Sequence, residues 1–146
     1  MTNLQQTDAR QAGTQAADAR PADLRQPADL QQLAERYLAV WNETDPAARR
    51  KLIDQAWAED GSYTDPLAAV TGRDGVDALI GAAQAQFPGL EFTLGAVDAH
   101  HDIARFTWNL GPAGEEPLVI GFDVLVAGPD GRIASVYGFL DRVPGA

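Results

Sequence analysis

Three side chains combine an ionisable oxygen with apolar neighbours, and they are the candidates for chemistry. They are Tyr37 in ERYLAVW, Asp65 in GSYTDPL and Asp123 in VIGFDVLVAG. Placing a carboxylate among apolar groups is costly unless it is paired or protonated. The run around Asp123 contains no cation. We therefore expect Asp123 either to be solvated locally or to have a raised pKa, and the second case suits a general acid or base.

Each candidate also has a structural interpretation. Tyr37 could be a core tyrosine whose hydroxyl is satisfied by a neighbour. Asp65 could cap a turn before Pro66, a common role of aspartate before proline. For Asp123 a functional interpretation is favoured, because its neighbours in sequence offer no partner for the carboxyl group. The cluster at residues 100–102, His-His-Asp, does not predict a metal site, since no second cluster of ligands is visible, and we expect no cofactor.

Composition excludes several function classes. The chain has 146 residues and a net charge of −10, with 11 basic against 21 acidic residues, and Lys51 is its single lysine. Such a chain has no basic patch for nucleic acid or for an anionic membrane surface. It has no cysteine for disulfides or thiolate chemistry. With no long apolar segment and no signal-like N-terminus, we expect a cytoplasmic protein.

The helices and strands that must position the candidate residues are predicted from the spacing of apolar residues and from residues that cap or end helices. Residues 1–28 lack aromatic and β-branched aliphatic side chains, and they are predicted to form a disordered leader before a single domain at 29–146. Asp29 and Asp45 are predicted helix caps. Apolar spacing then predicts helices near 29–43, 46–58 and 73–87, a short strand at 60–65, and four long antiparallel strands near 90–98, 101–110, 117–127 and 132–142.

The last two strands are apolar on both faces, whereas a sheet with one wet face should alternate. The helices must pack on one face of the sheet, and the chain has no further helix to cover the opposite face. We therefore predict a homodimer packed through the outer sheet face by Phe122, Val124, Tyr137 and Phe139.

The order of these elements and four short motifs resemble the NTF2-like superfamily, and more narrowly its SnoaL-like and ketosteroid-isomerase-like bacterial members. The motifs are RYLAVWNETD, YTDPL, GRDGVDALI and GFDVLVAGPDGRIASVYGFLD, and the resemblance covers residues 30–142. It implies an α+β cone, in which three N-terminal helices pack on a strongly curved antiparallel sheet and enclose a pocket for a small hydrophobic molecule.

The resemblance also implies roles. Ketosteroid isomerases use an aspartate base opposite a tyrosine and a protonated aspartic acid. By position, Asp65 would move a proton between carbons of an enolisable carbonyl compound, and Tyr37 and Asp123 would donate hydrogen bonds to its oxygen. SnoaL-like cyclases use the strand aspartate as general acid or base, so Asp123 could serve that reaction instead. A non-catalytic ligand-binding or structural domain is the alternative. The expected pocket walls are Trp57, Phe106, Trp108, Gly121 and Leu140, and bulky Trp108 suggests a ligand smaller or flatter than a steroid.

Overall fold

A computed structural model describes residues 26–145 as three helices and one six-stranded sheet. The elements in chain order are α1 (Pro27–Asn42), α2 (Pro46–Ala56), β1 (Trp57–Thr64), β2 (Ala69–Thr71), α3 (Arg73–Gln86), β3 (Glu91–His100), β4 (Ile103–Gly111), β5 (Val119–Ala127) and β6 (Ile133–Arg142). None of the helices in this part of the chain is long and apolar enough to cross a membrane.

Helix α1 begins two residues before the predicted start. Gln26 is its N-cap, and Asp29 is the third helical residue, whose carboxylate accepts a hydrogen bond from the Gln26 backbone N–H at 3.0 Å. Pro27 supports this start because its fixed φ suits the first helical position. Residues 26–28, which were predicted to belong to the leader, therefore form the start of α1. The remaining residues of the predicted leader, 1–25, lie outside the described part of the chain.

Helix α2 begins as predicted, with the Asp45 carboxylate accepting from the Ala48 N–H at 2.9 Å. The predicted end at residue 58 is wrong, because Trp57 is already the first residue of β1. Trp57 pairs with Ile133 of β6, and its carbonyl oxygen accepts from the Arg73 guanidinium at 2.7 Å. The Trp57 N–H still donates to the Ile53 carbonyl, but its backbone is extended and its carbonyl oxygen bonds Arg73 instead of continuing the helix. Helical spacing in the sequence is thus overridden by tertiary contacts.

The sheet has the strand order β2-β1-β6-β5-β4-β3. The four long strands β3 to β6 are antiparallel, as predicted. The whole sheet is mixed, because β1 pairs with β6 in parallel. Strand β2 was not predicted. It forms because the turn after Thr64 returns the chain antiparallel along β1.

The helices cover one face of the curved sheet. In β5 the odd-numbered residues are buried on the inner face and the even-numbered ones are half-buried on the outer face. On the outer face Tyr137 and Phe139 are 47% and 57% exposed, beside the half-buried Phe122 and Val124. On the inner face Asp123 is the one buried charged residue of the described chain, 1% exposed among apolar groups.

Candidate functional site

A cavity of about 470 Å³ lies between the inner face of the sheet and helices α1 and α3. Tyr37, Asp65 and Asp123 all line it, although they come from α1, the turn after β1, and β5. Two of the expected wall residues, Trp108 and Leu140, also line it. The other three expected wall residues, Trp57, Phe106 and Gly121, are not among its lining side chains and lie behind it in the core.

Tyr37 and Asp123 form a buried pair. The Tyr37 hydroxyl donates a hydrogen bond of 2.7 Å to Asp123 Oδ2. Aromatic packing holds the tyrosine in place, with its ring centroid 5.8 Å from that of Phe106 and 6.1 Å from that of Trp57. Asp123 Oδ1 has no hydrogen-bond partner among the described residues. One oxygen of this carboxyl group is therefore held by Tyr37, whereas the other is a buried polar atom whose hydrogen-bonding capacity is unused by the described residues.

Burial raises the pKa of Asp123 to about 6. The hydrogen bond from Tyr37 and the neighbouring Trp108 side chain oppose this effect, and the charge of Asp65 adds to it. Burial and the neighbouring charge of Asp123 also raise the pKa of Tyr37 well above its ordinary value, so Tyr37 remains a donor. Asp123 can consequently gain or lose a proton near neutral pH, which is the property required of a general acid or base.

Asp65 lies in a different environment, because three donors surround its carboxylate. Its Oδ1 accepts from the backbone N–H groups of Leu67 and Ala68 at 2.8 and 2.9 Å. Its Oδ2 accepts from the Tyr63 hydroxyl at 2.7 Å. The turn-capping interpretation of Asp65 thus describes real contacts, but these contacts also present a carboxylate to the cavity.

Tyr63 is the site residue that sequence reasoning missed. It lines the cavity, is 3% exposed, and its pKa is raised by burial, then by the charge of Asp123. The signal was its spacing of two from Asp65 across the end of a strand, which places both side chains on the same face.

Gly138 is the point where the two tyrosine–aspartate pairs meet. It is the register partner of Asp123 on β6. A Cβ added to it would lie 2.8 Å from Asp123 Oδ1, 3.4 Å from the Cβ of Asp65 and 3.6 Å from the Tyr63 hydroxyl. Because Gly138 has no side chain, the Asp123 carboxyl group can occupy the space on the side of Asp65, and both carboxyl groups lie in one region of the cavity.

The charge of the cavity is one-sided. Within the described chain its lining includes two aspartates and no Lys, Arg or His. Without a cation, an anionic ligand would be repelled by the carboxylates in surroundings that screen charge poorly. This arrangement favours an uncharged ligand that accepts or donates hydrogen bonds.

Comparison with known proteins places this geometry in a family. The family model for the SnoaL-like domain matches residues 34–136. A solved structure of a proposed isomerase of the SnoaL-like family from Agrobacterium tumefaciens is 43% identical, with a TM-score of 0.74, and the match covers 78% of this chain and 98% of that one. The chain belongs to the SnoaL-like family.

More distant structures share the fold of this SnoaL-like protein. A proposed ketosteroid isomerase from Kribbella flavida is 21% identical with a TM-score of 0.61, and the match covers 82% of each chain. A proposed SnoaL-like polyketide cyclase from Jannaschia is 20% identical with a TM-score of 0.60, covering 76% of this chain and 86% of that one. These two establish the NTF2-like α+β fold alone. A search of curated protein sequences finds no match.

Proposed function

We propose that this SnoaL-like protein is a cofactor-independent acid–base enzyme acting on a small, uncharged, enolisable carbonyl compound. The observation that carries the proposal is the pair of carboxyl groups facing one cavity in opposite environments. Asp65 accepts hydrogen bonds from three donors, whereas Asp123 is desolvated and has a pKa raised to about 6. Two carboxyl groups in such different surroundings at one cavity are suited to paired base and acid roles.

The proposed reaction begins with a ketone whose oxygen accepts a hydrogen bond from protonated Asp123 Oδ1. Asp65 removes a proton from the α-carbon, and the electrons of the broken C–H bond move onto the carbonyl oxygen. The protonated Asp123 stabilises the resulting enolate by its hydrogen bond. Asp65 then returns the proton to the same or a conjugated carbon, and the latter outcome is an isomerisation.

Tyr37 acts through Asp123 in this scheme rather than on the ligand. Its hydroxyl is committed to Asp123 Oδ2 at 2.7 Å, so it keeps that oxygen occupied and leaves Oδ1 as the oxygen that the proposal assigns to the ligand. This differs from the expectation that Tyr37 and Asp123 both contact the carbonyl oxygen. The same groups could support ring closure, in which the enolate carbon attacks a second carbonyl group and Asp123 protonates the new alkoxide. The Jannaschia protein is described as such a cyclase.

Deuterium exchange tests the proposal without knowledge of the natural substrate. We would incubate the protein with 1-tetralone, a two-ring ketone, in D₂O and follow loss of the C2 proton signal by NMR. We expect exchange well above the buffer rate, with saturation by substrate. Binding of 1-tetralone without accelerated exchange would contradict the enzyme and support the non-catalytic ligand-binding alternative.

We also propose that two copies pack through the outer sheet face. Tyr137 and Phe139 are exposed there, and the Phe122 and Phe139 ring centroids lie 6.5 Å apart in one apolar surface. A second copy of the same face is the simplest cover, because a two-fold dimer places like surfaces together.

Phe139→Asp is therefore expected to convert a dimer to a monomer in sedimentation velocity at tens of micromolar. Leu67→Asp is the matched control, since Leu67 is more exposed, at 83%, but lies outside this face. A monomeric wild-type protein under the same conditions would contradict the proposal.

A further inference from the structure

Trp108 occupies an unusual position in the wall of the cavity. The strand registers place Leu94, Trp108, Gly121 and Leu140 in one row across β3, β4, β5 and β6. The Trp108 indole lies over Gly121, where an added Cβ would overlap three carbons of its ring. The ring therefore uses the space that any larger residue at position 121 would fill.

Contacts on its other side hold Trp108 in place. The ring is 8% exposed and meets Phe92 edge-on, with centroids 5.4 Å apart. Phe92 is in turn tied to α1, since its backbone N–H and C=O both bond the Asn42 side chain, at 2.8 and 2.9 Å. An aromatic ring confined between a glycine and an anchored neighbour has little freedom to move aside for a ligand.

Trp108 is also next to the proposed reaction centre. It lines the same cavity as Asp123, and Gly121 and Asp123 are on the same face of β5. Its side chain affects the pKa of Asp123, which it lowers. The part of a ligand that contacts Asp123 must therefore fit beside the Trp108 indole.

We propose that Trp108, seated on Gly121, is a specificity-determining residue that restricts the ligand beside Asp123 to a compact molecule of one or two rings. This inference rests on the proposed function for the identity of the cavity as the ligand site. It does not depend on proton transfer, so binding alone tests it.

Isothermal titration calorimetry with three neutral phenols of increasing size provides the test: phenol, 2-naphthol and the tetracyclic estrone. We expect wild-type protein to bind 2-naphthol at least tenfold more tightly than estrone. Trp108→Ala and Trp108→Leu should reverse this order by strengthening estrone binding about tenfold or more, while weakening 2-naphthol binding through lost ring contact. Using two replacements guards against one of them failing to fold.

Two control variants separate size from other effects. Trp108→Phe removes the indole N–H but keeps an aromatic ring, and it should retain the preference for 2-naphthol. Leu140→Ala removes side-chain volume from the same row on the other side of Gly121, and it should not strengthen estrone binding selectively. Equal gains in Leu140→Ala, or no change of preference in either folded Trp108 variant, would overturn the inference while leaving the proposed function intact. Failure of every phenol to bind wild-type protein would overturn both.

Discussion

Replacing Asp65 by Asn is expected to slow enzyme-dependent deuterium exchange of 1-tetralone by roughly 10²- to 10⁴-fold, the usual contribution of a positioned base. The amide keeps an oxygen that can accept from the Leu67 and Ala68 N–H groups, which bond the carboxylate at 2.8 and 2.9 Å. The turn should therefore persist while the proton acceptor is lost. NMR measurement of the exchange rate, together with calorimetric binding of 1-tetralone, checks both halves of the prediction.

Asp141→Asn is the matched control, because Asp141 is an exposed aspartate on β6 and does not line the cavity. It should exchange 1-tetralone at the wild-type rate. If Asp65→Asn retains wild-type exchange, Asp65 is not the base. The turn-capping role would then account for this residue fully.

The pH dependence of exchange is the second large expected effect. The proposed mechanism needs Asp123 protonated, and its pKa is raised to about 6. The competent fraction is therefore nearly complete below that pH and decreases as pH rises through it. We expect kcat/KM, which reports ionisations of the free enzyme, to fall roughly 50-fold between about pH 6 and pH 8. Initial exchange rates corrected for buffer at each pH provide the measurement.

Asp123→Asn is the informative comparison for this profile. Its amide can still donate a hydrogen bond to a ligand oxygen but does not titrate, so the decline near pH 6 should disappear whatever rate remains. A wild-type rate that rises or stays level between pH 6 and pH 8 would exclude protonated Asp123 as the required donor. The ionised form would then be the active one, as a general base.

The parts of the fold that follow from local pattern were predictable from the sequence. The cap at Asp45 and the apolar character of both faces of β5 needed only neighbouring residues. Trp57 was misassigned because its extended backbone depends on Ile133 and Arg73, which are distant in the chain. The parallel pairing of β1 with β6 was missed for the same reason, since no local signal records which strand a short segment joins.

In the candidate site, too, local features were predictable from the sequence and contacts between distant residues were not. The apolar surroundings of Asp123 were visible in the sequence, and the structure gives it a raised pKa. The sequence could not show that Tyr37 donates to Asp123 rather than facing the cavity alone, because this contact joins residues 86 positions apart. Gly138 was overlooked because its importance comes from distances across strands. Tyr63 was overlooked although its spacing of two from Asp65 was visible in the sequence.

The proposed function requires Asp123 to be a desolvated carboxyl group that changes protonation near neutral pH inside the cavity. Carboxyl ¹³C NMR of protein labelled at aspartate, with the Asp123 signal assigned by its loss in Asp123→Asn, measures this directly. We predict a titration midpoint near the value of about 6 set by burial. A midpoint near 3.8, the ordinary aspartate value, would contradict it.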